Sequence, residues 1–370
     1  MLEDFANQSK LLVVVTSQTK WNEVPRMRHN ITTQLSRFYN VIYVELDSFG
    51  QTKLEKISNS LLLLKVGCFI RGLNRINAAK NLFNLYQSKI IDQYIRKFKA
   101  EKKIIINFKF DFYQAYALKI WTLKYYFMND DFVNMPPHSS QSEKEGRRKQ
   151  QNKTISNVSR VFVSSDPLGD DIKDQIKNIS IIYSGHDFTP TSEWKASENL
   201  RPVLCFMGTI HDELEAEWID CAASTGKYEV RLIGPVESTR IRKMLDKNCN
   251  IRFYEPLIGD KLQVFLHAAD AFLMPYKLVE INTKASVPAK LFQYLACGKP
   301  IISSKLPHLI KLPKGFIYES CDPSEFINNI ELALNEDEKL LMDARFELSL
   351  KNTWNYRGEK IFSIIEFDLN

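Results

Sequence analysis

LMPYKLVEINTKASVPAKLFQYLACGKPIISS, residues 273–304, is the stretch that decides the fold. A short apolar run ends at Met274-Pro275-Tyr276, and a polar loop follows from Lys277 to Ser286. Val287-Pro288 then opens a helix, with proline in the first turn, where its missing N–H costs nothing. Leu291, Phe292 and Leu295 continue it at helical spacing, and Cys297-Gly298 stops it before Lys299-Pro300 leads into a new strand. A helix start at the carboxyl edge of a parallel sheet suits a diphosphate, because its unpaired N–H groups and dipole favour anions. Lys284 and Lys290 would add positive charge. Any doubly wound fold has such a helix start, so the residues alone leave phosphate binding and a plain structural turn both open.

The same rhythm extends outward. Upstream, the expected strands are Val203–Met207, ending at Gly208; Glu229–Ile233, ending at Gly234-Pro235; and Ile251–Tyr254, ending at Glu255-Pro256. A helix at Trp218–Ser224 separates the first two, and a helix at Leu262–Ala268 follows the third. Downstream come a strand at Phe316–Glu319, a helix at Pro323–Leu334 and a helical tail, 338–367, interrupted near Asn352–Trp354. The first half opens strand–helix–strand at Leu11–Thr16, Arg26–Phe38 and Val41–Val44. Further strands are expected at Leu61–Val66, Lys103–Asn107, Tyr125–Met128, Val161–Ser164 and Ser180–Tyr183, with an amphipathic segment at 78–98. His138–Lys153 is polar and without apolar period, either a mobile loop or the exposed start of a helix. A Ser/Thr/Pro/Glu-rich stretch, 186–201, reads as the linker between two parallel α/β domains. Ligands of such sheets bind beyond the carboxyl ends of the strands.

Composition narrows the class. The apolar runs of this 370-residue chain, such as Leu11–Val15 and Leu61–Leu64, fall far short of the ~20 residues of a spanning helix. The N-terminus lacks a basic-then-apolar signal pattern. Six scattered cysteines without a CxxC argue against a zinc site or a disulfide scaffold, and Cys205, Cys221 and Cys297 are expected as buried thiols. The net charge of +6 divides into +11 over residues 1–185 and −5 over 186–370. Either the basic half faces an anionic partner or its cations merely solvate helices. Nucleic acid is not expected, since no basic stripe is interleaved with aromatics and no known binding motif occurs.

Pro288–Ser304, read as PxKLFxYLAxGKPIISS, resembles the C-terminal signature of the retaining nucleotide-sugar glycosyltransferases of family 4, in particular the bacterial group that builds teichuronic acid, capsule and lipopolysaccharide chains. Gly208-Thr209, Leu232–Pro235, Phe253–Pro256, Leu262–Tyr276 and the terminal Thr353-Trp354-Asn355 are similar to family elements in the same order. Trp21–His29, Phe127–Asp131 and Tyr183–Phe188 (YSGHDF) resemble it more loosely. The resemblance implies an α/β GT-B fold, two Rossmann-like domains facing a central cleft. Its expected parts are an acceptor-side domain over 1–188, a linker over 189–200, a nucleotide-sugar domain over 201–352, and a final helix, 353–370, returning to the first domain.

The implied activity is retaining transfer of a hexose from a nucleotide-diphosphate sugar to a lipid-linked or oligosaccharide acceptor, in bacterial surface polysaccharide synthesis. It would take place in the cytoplasm, with peripheral contact to an anionic membrane, and without metal or other cofactor. The resemblance assigns donor binding to Gly208, Thr209, His211, Tyr254, Glu255, Pro275, Tyr276, Ser286, Val287, Pro288, Lys290 and Gln293. His211 stands where relatives have a Lys or Arg, so it is either a phosphate contact or a surface loop residue. The catalytic candidates are Asp130, as a base or orienting group for the acceptor hydroxyl or else a turn aspartate, and Arg28, as an anion contact or else a solvated arginine. Asn107 and Lys109 end a strand nearby in the chain. The family's Glu-x7-Glu pair reads Ala285 and Gln293 here. A neutral amide accepts ribose hydroxyls without charge assistance, so a catalytically silent scaffold in a polysaccharide assembly complex is the alternative.

Overall fold

Leu11–Ser17, LLVVVTS, is buried at every position, as a strand covered on both faces must be. In the computed structural model it is β1, at the heart of the first of two compact units. The structure describes residue 5 and residues 10–68, 77–135, 139–188, 199–277, 288–306, 310, 312–336 and 339–370. Unit 1 comprises Met1–Tyr183 with Arg357–Asn370, and unit 2 comprises Ser184–Tyr356.

The strands of unit 1 are β1, β2 (Asn40–Phe49), β3 (Lys53–Lys56), β4 (Leu61–Cys68), β5 (Lys102–Asn107), β6 (Leu123–Met128), β7 (Arg160–Val163) and β8 (Ile179–Ile181). They lie in the order β3-β4-β2-β1-β5-β6-β7-β8. Every pairing is parallel except β3 with β4, an antiparallel edge hairpin absent from the expected parallel sheet. Lys53 and Lys56 at its ends are exposed, a polar edge that resists strand addition. The helices are α1 (Met27–Leu35), α2 (Asn77–Ile95), α3 (Gln141–Ile155) and the short α4 (Asp166–Asp170). The polar stretch that left loop and helix open is α3, capped reciprocally by Ser140 and Glu143.

Unit 2 holds β9 (Val203–Met207), β10 (Glu229–Ile233), β11 (Ile251–Tyr254), β12 (Ala271–Met274), β13 (Ile301–Ser304) and β14 (Ile317–Ser320), all parallel, in the order β11-β10-β9-β12-β13-β14. Counted from β9, this is the 3-2-1-4-5-6 order of a doubly wound dinucleotide-type sheet. Its helices are α5 (Ala216–Ser224), α6 (Thr239–Leu245), α7 (Gly259–His267), α8 (Lys290–Ala296), α9 (Pro323–Glu336) and α10 (Lys339–Leu350). Cys205 and Cys297 are buried. Cys221 is exposed instead, because α5 turns Trp218, Ile219, Ala222 and Ala223 inward and position 221 falls on the opposite face. The loosely resembling YSGHDF stretch meets the terminal Thr353 element here: His186 bridges Thr353, and its Nε2 lies 3.0 Å from the Ser349 carbonyl oxygen.

The last helix, α11 (Trp354–Leu369), contributes its residues from Arg357 onward to unit 1. Phe362 stacks on Phe38 with centroids 4.5 Å apart, and Asp368 accepts a two-pronged bond from Arg160 (2.8 and 2.6 Å) and a third from Tyr125 (2.9 Å). Burial opposes ionisation of Asp368, yet the Arg160 and Tyr125 hydrogen bonds and the Arg160 charge outweigh it and hold the carboxyl below its ordinary value. A depressed folded value stabilises at any pH above the unfolded value of ~3.9 and is lost as pH falls through the folded one. Asp368→Asn is therefore expected to lower stability at pH 7 by about 1.5–3 kcal/mol, typical of a charge-assisted bond, with the deficit closing in acid. Urea melts at pH 7 and pH 3 measure this; an equal deficit at both would show that ionisation of Asp368 is not what stabilises.

Candidate active site

In unit 2 the chain leaves β9 in one direction and reaches β12 from the other, so a crevice is expected beyond their carboxyl ends. The backbone there is drawn tightly together. Gly208 has φ +139° and donates its N–H to the Ile233 carbonyl oxygen (2.9 Å). Gly234 has φ +141°, and a Cβ on it would overlap the Gly208 carbonyl. The turn that follows is stitched to the end of β12: Glu215 N–H donates to Pro275 O (2.8 Å) and Lys277 N–H to Glu213 O (2.8 Å). Tyr276 N–H donates to Ser304 Oγ (3.0 Å), which ties β12 to β13.

Lys290, the first residue of α8, reaches into this turn. Its Nζ stands 4.1 Å from the centroid of the Phe206 ring and 5.0 Å from that of Tyr276. A Cβ on Gly208 would collide with Nζ, so the glycine leaves room for the ammonium as well as for the turn. Among the described residues Lys290 has no hydrogen-bond or ion-pair partner. Burial, with only weak compensation, pulls its pKa down to about 7. The charge is held by ring faces, which contribute about 0.5–2 kcal/mol each, and not by a carboxylate. Beneath it Tyr294 stacks on Phe272 (4.1 Å between centroids) and accepts the Met207 N–H at 2.7 Å, locking α8 to the end of β9.

The structure thus brings Gly208, Tyr276 and Lys290 together, with Pro275 buried behind them. Thr209, Pro288 and Gln293 are half-buried. Val287, half of the expected helix opening, lies outside the described residues; α8 is seven residues long, Ala289 is its N-cap residue, and no side chain caps it. Ser286, Val287, Lys284 and Ala285 lie outside the described residues. His211 stays in its own turn, where Nδ1 accepts the Glu213 N–H (3.2 Å) 3.8 Å from that carboxylate. Tyr254 packs edge-on against Phe265 (4.8 Å), and Glu255 is exposed. Neither has a contact with Lys290. Phe206, the ring under the ammonium, carried no signal beyond its place in an apolar strand.

In unit 1, Arg28 and Asp130 come within electrostatic reach of each other. Burial lowers the pKa of the Arg28 guanidinium, while Tyr43 and Asp130 favour its charge; its Nε is buried without a hydrogen-bond partner among the described residues. Burial raises the Asp130 carboxyl, and the Asp131 N–H (2.9 Å) and Arg28 offset this in part. His29 is occupied: Nδ1 accepts the Arg26 N–H (3.0 Å), Nε2 lies 2.9 Å from Lys20 O, and the ring stacks on Tyr43. It holds the loop before α1, where Arg26 is exposed and Arg28 partly buried. Asn107 is likewise engaged, accepting from Thr16 Oγ1 (2.7 Å) and Lys109 N–H (2.9 Å) at the ends of β1 and β5.

Comparison with known proteins first fixes the class. The two-unit fold is GT-B. Over 97% of this chain it superposes on a structure described as trehalose-6-phosphate from E. coli bound with UDP-2-fluoro glucose, with TM-score 0.70 and 11% identity over 98% of that chain. WaaG, a glycosyltransferase involved in lipopolysaccharide biosynthesis, superposes with TM-score 0.63 and 11% identity, over 95% of this chain and 99% of that one. Residues 201–336 match the family described as Glycosyl transferases group 1. Among curated proteins, "Putative teichuronic acid biosynthesis glycosyltransferase TuaH" of Bacillus subtilis (strain 168) is 27% identical over 161 residues, which are 41% of this chain and 40% of that protein.

Proposed function

We propose that this protein is a glycosyltransferase of surface polysaccharide or glycan biosynthesis. It takes a hexose from a nucleotide-diphosphate sugar to a lipid-linked or oligosaccharide acceptor, with retention and without a metal. The observation that carries the reading is the half-buried Lys290 ammonium, without an anionic partner among the described residues, at the β9–β12 switch point of the matched segment. A preorganised cation in a desolvated turn stabilises the charge that develops on a departing diphosphate. Asp130, its carboxyl raised by burial, would orient or deprotonate the acceptor hydroxyl, with Arg28 in electrostatic reach. The silent-scaffold alternative gains nothing from the relatives, which include enzymes of this type. A thermal-shift panel of UDP-, GDP-, ADP- and CDP-sugars, with donor hydrolysis, tests the proposal. A ligand at 100 times its dissociation constant adds ~2.7 kcal/mol to stability, and no shift or hydrolysis with any of the four would end it.

Gln293, half-buried on α8 three residues after Lys290, is the proposed ribose contact. Gln293→Glu, which restores the carboxylate implied by the resemblance, is expected to tighten the nucleoside by about 1 kcal/mol, roughly fivefold, as a charge-assisted bond replaces a neutral one. Unchanged affinity in titration calorimetry removes Gln293 from the ribose. The +11 charge of residues 1–185 supports peripheral membrane contact. Sedimentation with liposomes is expected to require anionic lipid and to fall with salt, as the screening length shortens below ~10 Å above 0.1 M. Equal binding to neutral vesicles at low salt would remove the membrane from the proposal.

A further inference from the structure

Within unit 1 a cavity of about 360 Å³ opens between α2, the loop after β5 and α3. Its volume lies at the lower end of ordinary small-ligand pockets and accommodates one pyranose ring. The floor is fixed by its own contacts. Asp111, with a side chain 2% exposed, is ion-paired with Lys80. Asn84 Nδ2 donates to Asp111 O (2.8 Å), and Asn84 Oδ1 accepts from Lys109 (2.8 Å), which is not part of the lining. The Phe110 ring meets the Lys80 ammonium (5.4 Å to the centroid) and stacks on Phe132 with centroids 5.7 Å apart. The charges of the lining cancel: Lys80 and Arg147 stand against Asp111 and Glu143. The Ser140 hydrogen bonds above all, with the Arg147 charge adding, hold the Glu143 carboxyl below its ordinary value. A wall without net charge calls for neither an anion nor a cation.

Two features of α3 point to an uncharged ligand that carries hydroxyls. The first is a pair of hydrogen-bonding groups one turn apart on the wall. Gln150 Oε1, an acceptor, and Arg147 Nη2, a donor, are closed to solvent without a hydrogen-bond partner among the described residues. Arg147 is held in place by its Nε, which donates to Val133 O (3.0 Å). A hydroxyl both donates and accepts, so one vicinal diol answers the two groups together. The second feature is Gly146, in the interior of a 15-residue helix, where only proline is less favourable. Its backbone needs no glycine, since its φ is not in the left-handed region, and a Cβ there would meet no atom within 4 Å. The protein has room for a side chain at this position. What a side chain would obstruct is the cavity that Gly146 lines.

We infer that this cavity is a subsite for one uncharged sugar residue. The inference rests on the proposed transferase function only for placing that residue in the acceptor. Calorimetry of the full chain with the methyl glycosides of glucose, galactose, mannose and N-acetylglucosamine, with methyl glucuronide and with inorganic phosphate tests it. At least one neutral glycoside is expected to bind, the glucuronide to bind no tighter, and phosphate not to compete. Gly146→Leu should abolish sugar binding while the melting midpoint holds or rises, because leucine is the better helix former. Gln150→Ala should weaken the sugar by about two- to tenfold, the worth of one neutral hydrogen bond. Binding of no neutral glycoside, preference for the glucuronide, competition by phosphate, or a stable Gly146→Leu that binds like the parent would each overturn the subsite. If Gly146→Leu melts below the parent, Gln150→Ala decides in its place, and parent-like binding by it overturns the subsite. Nucleotide-sugar binding measured in the same samples separates the two ideas. Its absence with glycoside binding present upholds the subsite and ends the transferase reading, and the reverse ends the subsite alone.

Discussion

Lys290→Met is expected to weaken binding of the nucleotide-sugar donor by roughly 10- to 150-fold, the worth of a charge-assisted contact of about 1.5–3 kcal/mol. Methionine keeps an unbranched apolar stem over Phe206 and Tyr276, so the loss is of charge and not of packing. A second readout is pH. Burial pulls the Lys290 pKa down to about 7, and a diphosphate beside it raises it again. Above pH 7 binding therefore takes up a proton, and affinity falls by up to tenfold per pH unit. In the ligand-free protein the sign is opposite. Between about 7 and the unfolded value of ~10.4 the unfolded chain holds a proton that the folded one lacks, so this group's contribution to stability rises with pH across that window. Lys290→Met is expected to flatten both profiles. Calorimetry of parent and variant from pH 6 to 9 decides it, and parallel curves would take Lys290 out of the anion site.

Gly234→Ala is expected to lower the stability of unit 2 by about 3 kcal/mol or more. Two costs combine. A φ of +141° is strained for any side chain, at ~1–3 kcal/mol. The added Cβ would also press into the Gly208 carbonyl, and overpacking costs a further ~1–3 kcal/mol. Unit 2, Ser184–Tyr356, is in the size range where each kcal/mol moves the melting midpoint by ~2–4 °C, so a fall of about 6–12 °C is expected. The Gly208 turn would shift with it and carry Lys290 away from the crevice, so donor binding should fall as well. A midpoint within 2 °C of the parent would mean that the two turns do not cross as closely as described.

The strands were legible because their signal is local. LLVVVTS, KIIIN and VLCFM are apolar runs bounded by polar turns, and each is a buried parallel strand here. What local signals missed was short or edge-placed. β3 is a polar four-residue strand that exists only because β4 lies beside it. Helix α6 is brief and basic and is marked only by its Ser238 cap. Cys221 sits among apolar neighbours in sequence yet faces solvent, because a helix turns neighbouring positions about 100° apart.

By itself the sequence determined the alternation of strands and helices, the stretch 273–304 at the carboxyl edge of a sheet, and the candidates Gly208, Tyr276 and Lys290, because periodicity, helix stops and motif order are properties of the chain. Only the tertiary structure decided what those candidates do to one another. It set the Lys290 ammonium against Phe206 and Tyr276 rather than a carboxylate, confined His211 and His29 to their own loops, and brought Arg28 within electrostatic reach of Asp130. It also assembled the Asp111–Lys80–Arg147 cavity from segments dozens of residues apart. The physical reason is that desolvation and charge pairing depend on which groups share a low-dielectric neighbourhood, and a parallel sheet brings strand ends together across long crossovers that sequence spacing does not encode.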